Sequence, residues 1–384
     1  MSRFEVQARA ITEILPHPTA DKIEFVRIDG YLSIVKKGQV RVGDLAVYLP
    51  EAAVLPEFVL RTVGLWNESE GKGRCGGDQG NRVKAVKLRN CLSQGIVYPL
   101  SFLPDHALGP SWCLQDEHLE QWPVKEGSDV AAILGITKHI PQIPEGLSGA
   151  VLPVGRHLIP DFDIEDIKKH PGVFQEGEEV RISEKLHGIF TGAVLLSESD
   201  AIDGNRFFVF GKGLGSEGLA FIDDEANKGN VYLQMAHEAE LRAMLEKIAS
   251  HLNEYSLPVF ILGETFGRGV QDLGYASSPS YRAFDIGVGY RGRERYLDYD
   301  AAKQLGEDIG VGWVPELYRG PFSASMLTSV ITGKESVTGL QVHLREGGVV
   351  HPQHERENTS LGRVILKAIS PDYILRKGNA TEYQ

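Results

Sequence analysis

The stretch EEVRISEKLHGIFTGAVLL, residues 178–196, decides how the larger part of this chain folds. It holds two β-type runs, EEVRISEKL and IFTGAVLL, on either side of a turn at His187 and Gly188. One lysine, Lys185, stands where the first run gives way to that turn. A lysine held between a strand and a tight glycine turn has few rotamers, which suits a group that must attack in line. An ordinary exposed lysine at a turn would look the same in isolation, so its companions along the chain decide.

Downstream, further β-type runs (FFVFGK, VFILGETF, YRAFDIGV, GGVVH and RVILKAI) alternate with helical segments. Leu241, Met244, Leu245, Ile248 and Leu252 fall at helical spacing and predict an amphipathic helix that packs on a core. The pattern predicts an α+β unit with a mixed, largely antiparallel sheet core. Upstream, from about residue 5 to 103, short runs such as FVRI, LSIVKK, LAVYLP, VKAVKLR and GIVYPL alternate with turn residues and predict a small barrel or sandwich. Between them a Pro/Gly-rich stretch, residues 126–159, reads as a linker. The expected division is therefore 1–125, a linker at 126–159, and 160–384.

Composition narrows the function classes. With 42% hydrophobic, 24% charged and 8% aromatic residues, the 384-residue chain reads as globular and long enough for two cores. It shows no apolar run of membrane-spanning length, and its N-terminus is charged where a secretion signal would be apolar. A cytoplasmic protein with no membrane partner is expected, and no obligate protein partner is readable. Cys75, Cys91 and Cys113 form no CxxC pair, so neither a disulfide framework nor a zinc knuckle is encoded. The pair His351 and His354 has no third ligand nearby in sequence.

The net charge of −12 argues against a protein that coats nucleic acid electrostatically. Its distribution says more. Residues 1–125 hold 15 basic and 15 acidic side chains, so the whole negative excess lies in the rest. Within the neutral part, residues 71–89 carry Lys72, Arg74, Arg82, Lys84, Lys87 and Arg89 against Asp78. This basic, glycine-rich loop reads either as a solvated hairpin or as an arm laid on a phosphate backbone.

Two stretches, GLGSEG (213–218) and GVGYRG (287–292), match the GxGxxG dinucleotide fingerprint. Neither is followed by a long apolar-periodic helix and a parallel strand, so neither predicts a nucleotide-binding βαβ unit. A stronger signal is an ordered set of charged and aromatic residues at strand ends: EKLHG, FGKGLG, LGETFG, FDIG, REGGVVH and VILKAIS.

That order resembles the nucleotidyltransferase motifs of ATP-dependent polynucleotide ligases and RNA capping enzymes. Within this superfamily EKLHG, with His187 where DNA ligases usually carry aspartate, resembles the nick-sealing RNA ligases. The stretches HPTADKIEFVRIDG, VYLPEAAVLP, DFDIEDIKKHP, FGKGLGSEGLAFIDDEANKGNVY and SPDYILRKGNATEYQ resemble the Deinococcus-type RNA ligase family in particular. HPTADKIEFVRIDG is also similar to the start of tRNA-binding OB modules. The resemblance covers nearly the whole chain, and it implies an N-terminal OB-like barrel followed by an ATP-grasp-like adenylyltransferase domain.

It further implies ATP as AMP donor, Mg²⁺ or Mn²⁺ as cofactor, and RNA or an RNA-containing nicked duplex as partner. Lys185 would form a lysyl-AMP, with Glu184 beside it in the nucleotide site. Glu264 would bind the ribose, and Phe284 would stack on adenine. Glu346 would hold the divalent cation, Lys367 the α-phosphate, and Lys212 the nucleotide or the acceptor end. Many relatives carry a second lysine where Ile365 stands, and whether Arg363 replaces it depends on strand register. His187 orients the nucleophile or caps the turn. A DNA ligase, a capping-type guanylyltransferase and a non-catalytic RNA-binding protein are the competing readings. The natural RNA and the oligomeric state are not encoded legibly.

Overall fold

The computed structural model describes residues 4–102, 124–140 and 147–376; Cys113 and the last eight residues of the terminal motif lie outside them. The chain divides into two compact units, one of the described residues of 4–140 together with 167–171, the other of the described residues of 147–166 and 172–376.

The first unit is built on a five-stranded antiparallel sheet with strand order Ile96–Pro99, Leu45–Leu49, Ala8–Pro16, Ile23–Ile28, Tyr31–Lys36. The sheet curls until its ends nearly meet. Gln94 N–H donates to Leu32 O at 2.9 Å, Ile34 N–H to Ser93 Oγ at 2.9 Å, and Ser33 Oγ to Gln94 O at 2.5 Å. Strand Leu45–Leu49 is buried on both faces. Ala46 and Tyr48 join Ile11, Val26, Ile28 and Val97 in one core, whereas Val47 and Leu49 join Leu55, Leu60 and Tyr98 in another. Such two-sided burial explains why LAVYL reads as a continuous apolar run rather than an alternating one. Val130, Leu134 and Ile136, from the stretch expected as linker, are buried in this second core.

The second unit contains two five-stranded sheets. In one the order is Glu165–Asp166, Leu366–Ile369, Gly347–Pro352, Glu179–Lys185, Glu316–Pro321, antiparallel except for its first pair. In the other, wholly antiparallel, it is Phe207–Gly211, Gly188–Leu195, Val259–Phe266, Ser280–Val288, Arg295–Tyr296. The helix predicted from Leu241 spans Leu241–Leu252 and buries Leu241, Met244, Leu245 and Ile248 against the second sheet's core. These sheets, with the barrel before them, make the mixed α+β architecture expected from the sequence.

The opening stretch joins the two sheets. Lys185 is the last residue of a strand in one, Gly188 the first of a strand in the other, and only Leu186 and His187 lie between. Glycine is required at 188 for a local reason: a Cβ there would sit 2.2 Å from the Thr265 carbonyl oxygen and 2.9 Å from Glu264 Cγ. Of the two glycine-rich fingerprints, GLGSEG forms most of a six-residue helix, Lys212–Glu217, closed by left-handed Gly218, and GVGYRG ends the strand Ser280–Val288. Among the described residues no helix is long and apolar enough to cross a membrane.

Candidate active site

Strand alternation sorts the charged residues of the first sheet. Paired residues share a face, and so do residues two apart. Lys185 pairs with Gly347, which pairs with Ile369, so Lys367 lies on the Lys185 face. Glu346, one residue before the strand Gly347–Pro352, brings Oε1 to 2.6 Å from Lys185 Nζ. Its main-chain N–H donates to the Tyr275 hydroxyl at 3.1 Å. Glu346 is buried, at 9% exposure.

Glu184 is on the other face. Its carboxylate accepts from Ser336 N–H at 3.0 Å and from the Ser336 hydroxyl at 2.5 Å, with Arg345 Nε at 3.4 Å. Burial pushes its carboxyl above the ordinary range although Ser336 and Arg345 oppose that shift. The expectation that Glu184 lines the nucleotide site beside Lys185 does not fit this geometry; adjacent strand residues point to opposite sides.

The second sheet contributes Glu264 from the strand Val259–Phe266. Burial raises its carboxyl to about 8, against the opposing pull of Lys185 and Lys212, and Glu346 adds to the rise. Burial thus outweighs the neighbouring lysines and favours the protonated carboxyl near neutral pH. Lys212, at the start of the helix Lys212–Glu217, lies 2.8 Å from Asp163 Oδ1. Lys367 is lowered from the ordinary lysine range by burial and then by Lys212 and Lys185. Glu346 behaves in the opposite way: burial would raise it, yet the Lys185 ammonium, with His187 beside it, overrides that and holds it at about 2. Lys185, Lys212, Lys367, Glu264 and Glu346 thus lie close enough for each to feel the charge of others in the group.

Phe284 occupies a β-bulge. Leu262 pairs with Asp285 and Gly263 with Ala283, so Phe284 has no partner in the register. A bulge re-aims a side chain, and here the ring packs on Phe162 (centroids 5.2 Å apart) and Phe190 (6.2 Å). Phe190 pairs with Glu264, so the aromatic cluster borders that carboxyl. Phe162 and Asp163, in the segment leading into the unit, were missed by sequence reasoning because no local pattern marks them.

Arg363 is occupied elsewhere. Its guanidinium bonds Asp285 (2.5 Å) and Glu355 (2.7 Å) and lies 3.7 Å over the Tyr296 ring. Ile365 is buried, so no basic side chain stands in its place. The two histidines of HPQH separate: buried His351 Nε2 lies 3.1 Å from Ser183 Oγ, and exposed His354 faces Asp298. Among the described residues no three His, Cys, Asp or Glu side chains gather as a metal cluster.

In the first unit, Arg74, Lys84, Lys87 and Arg89 are exposed and Arg82 is half-buried. Lys72 pairs with Glu70 at 2.9 Å, and Arg89 donates to Thr19 O at 3.1 Å. Lys87 lies in a short hairpin, Val86–Leu88 with Cys91–Ser93, whose first strand is exposed along its length.

Comparison with known proteins agrees with both units. A family profile described as RNA ligase matches residues 178–369, and an OB-fold domain profile matches residues 6–100. No curated protein matches the chain. Among solved structures, a variant of the Naegleria gruberi RNA ligase with ATP and manganese is 23% identical, covers 97% of this chain and 98% of its own, and superposes with a TM-score of 0.74. A second variant with AMP and manganese, 22% identical, covers 97% and 98% with a TM-score of 0.72. The same ligase with pyrophosphate gives 23%, 97%, 98% and 0.72. At this identity the likeness speaks for the fold.

Proposed function

Since this chain belongs to the RNA ligase family, we propose that it is an ATP-dependent ligase of the Deinococcus-type branch that seals 3′-OH/5′-phosphate RNA ends, nicks in duplexes above all, through a lysyl-AMP. The observation that carries this reading is the 2.6 Å contact of Lys185 with Glu346 where one sheet passes into the other. Further support comes from the Naegleria structures, which hold ATP, AMP or pyrophosphate, the reactant and products of adenylyl transfer.

In the first step the unprotonated Lys185 amine attacks the α-phosphorus of ATP. The N–P bond forms as the bond to pyrophosphate breaks, and pyrophosphate leaves with the electron pair. AMP then passes to the 5′-phosphate of the RNA, breaking the N–P bond and restoring the amine. Attack of the 3′-hydroxyl on that phosphate releases AMP and leaves a phosphodiester. A free lysine titrates near 10.4, and Glu346 at 2.6 Å favours the ammonium further. The amine is therefore released as that carboxylate turns to the cation and positive charge gathers around Lys185. Lys212 and Lys367 supply positive charge on the side from which the phosphates approach. Transfer of this kind rests mainly on positioning and charge neutralisation.

Glu264, protonated in the nucleotide-free protein, meets a ribose hydroxyl, and Phe284 offers its ring to adenine. Glu346 supplies one hard carboxylate. That fits a Mg²⁺ or Mn²⁺ ion shared with phosphates and waters rather than one caged by protein. Such an ion neutralises charge on the reacting phosphate oxygens when bound. The exposed arginines and lysines of the OB unit face the RNA backbone.

The test is covalent labelling. The protein is incubated with labelled ATP, GTP or NAD in Mg²⁺ or Mn²⁺, and the labelled peptide is mapped. ATP alone leaves AMP, on Lys185, and Lys185→Ala takes no label. Label from GTP points to a capping-type enzyme, and AMP on another lysine overturns the assignment.

A further inference from the structure

His187 is the most deeply buried polar side chain of the KLHG turn, 1% exposed, and both of its ring nitrogens are engaged. Nε2 lies 2.8 Å from Asp272 Oδ1. A carboxylate only accepts, so Nε2 carries the hydrogen. Nδ1 lies 2.7 Å from the hydroxyl of Tyr373, itself 2% exposed, and in the neutral ring accepts its O–H. Arg376 closes the circuit. Its Nε lies 3.2 Å from Asp272 Oδ2 and its guanidinium 3.8 Å over the Tyr373 ring.

Four residues from three places thus form a ring of contacts: His187 from the turn after Lys185, Asp272 from the loop after the strand Val259–Phe266, and Tyr373 and Arg376 from the helix Pro371–Ile374 and just beyond it. The ring touches the chemistry at one point. Glu346 Oε2 stands 3.8 Å from His187 Nδ1, outside hydrogen-bond distance, while its Oε1 holds Lys185. While the Tyr373 hydroxyl donates to it, Nδ1 stays an acceptor with nothing to offer a carboxylate; in the other tautomer it would carry the hydrogen and donate to the carboxylate beside it, Glu346.

We propose that Tyr373, Asp272 and Arg376 are positioning residues for lysyl-AMP formation, acting through His187: they fix its tautomer and rotamer so that Glu346 stays with Lys185 and the reacting phosphates. This rests on the ligase reading above. It makes the last described helix a support of the active site through its contact with His187.

The test combines kinetics with a spectrum that needs no nucleotide. Tyr373→Phe keeps the ring beneath Arg376 and removes only the hydroxyl. Single-turnover formation of lysyl-AMP falls about ten-fold, the loss expected for one buried hydrogen bond acting in the transition state, with the ATP KM unchanged and the melting temperature lower by only a few degrees. Asp272→Asn gives a loss of similar size. The double variant loses no more than the worse single one, because both act through one imidazole. In ¹⁵N-histidine spectra of the nucleotide-free protein, wild-type His187 shows Nε2–H with Nδ1 as acceptor, and Tyr373→Phe moves the Nδ1 resonance. A wild-type rate for Tyr373→Phe, additive losses in the double variant, or an unmoved Nδ1 resonance overturns the proposal. If wild type itself forms no lysyl-AMP, the ligase reading fails, and the spectrum alone judges the ring.

Discussion

Lys185 and Glu184 are neighbours in sequence, yet they lie on opposite faces of their strand, and Glu184 is held on its own face by Ser336 and Arg345. The carboxylate that does face Lys185 is Glu346, far away along the chain. Its removal tests that division of labour. Glu346→Gln is expected to slow lysyl-AMP formation by about 10²-fold, the size of effect seen when one preorganised electrostatic group is lost, with the melting temperature close to wild type. An equal loss of stability and activity would make Glu346 a structural residue. Glu264 allows a test without nucleotide. Its carboxyl is raised from 4.5 to about 8 in the folded protein, so the folded state holds its proton more tightly than the unfolded chain does. The associated stability is fully present below about pH 4.5 and is lost as pH rises towards 8. Glu264→Gln lacks this loss, so its melting temperature relative to wild type should climb through that window. A constant difference between the two proteins across those pH values would refute the shift.

At the scale of elements, the helix Leu241–Leu252 was legible because its apolar positions repeat at helical spacing. The turn at Lys185 was legible from local chemistry, a lysine before a glycine between two β-type runs. Glu184 was misplaced although the period of a strand, two, was available to place it. The bulge at Phe284, the Asp163–Lys212 pair and the ring around His187 were not readable at all. Each depends on register or on contacts distant in sequence, and neither leaves a local pattern. The close approach of the strands Gly188–Leu195 and Val259–Phe266 has a sharp consequence. Gly188→Ala places a Cβ 2.2 Å from the Thr265 carbonyl, backbone that cannot swing aside. Overpacking of this kind costs about 1–3 kcal/mol, to be read by chemical denaturation. Because Glu264 Cγ is the next side-chain atom met, AMP labelling should fall as well. An alanine variant of wild-type stability would mean the strands part without penalty.

At the scale of the whole molecule, nucleotide chemistry and RNA engagement are assigned to separate units. All residues proposed for adenylyl transfer belong to the ligase unit, and the exposed cations Arg74, Lys84, Lys87 and Arg89 belong to the OB unit. Lys84→Gln with Lys87→Gln should therefore leave lysyl-AMP formation intact while weakening nick binding. On a log–log plot of affinity against salt, the slope should flatten by about 1.8, or about 0.9 for each duplex phosphate that is no longer neutralised. An unchanged slope would free this loop from any role on the backbone.

The crossing at Lys185 also governs when the enzyme becomes active during its own synthesis. Lys185 leaves the ribosome first, and Glu346, Lys367 and Tyr373 follow some 160 to 190 residues later. Translation at roughly 5–20 residues per second separates these events by about ten to forty seconds. Over that interval Lys185 has neither its carboxylate nor its companion lysine, and the strand that carries it lacks the neighbour Gly347–Pro352. Pairings so distant in sequence are also the slow ones to form. On the chemistry proposed above, a half-made chain in a cell rich in ATP remains unmodified, and competence for adenylylation arrives only with these later strands.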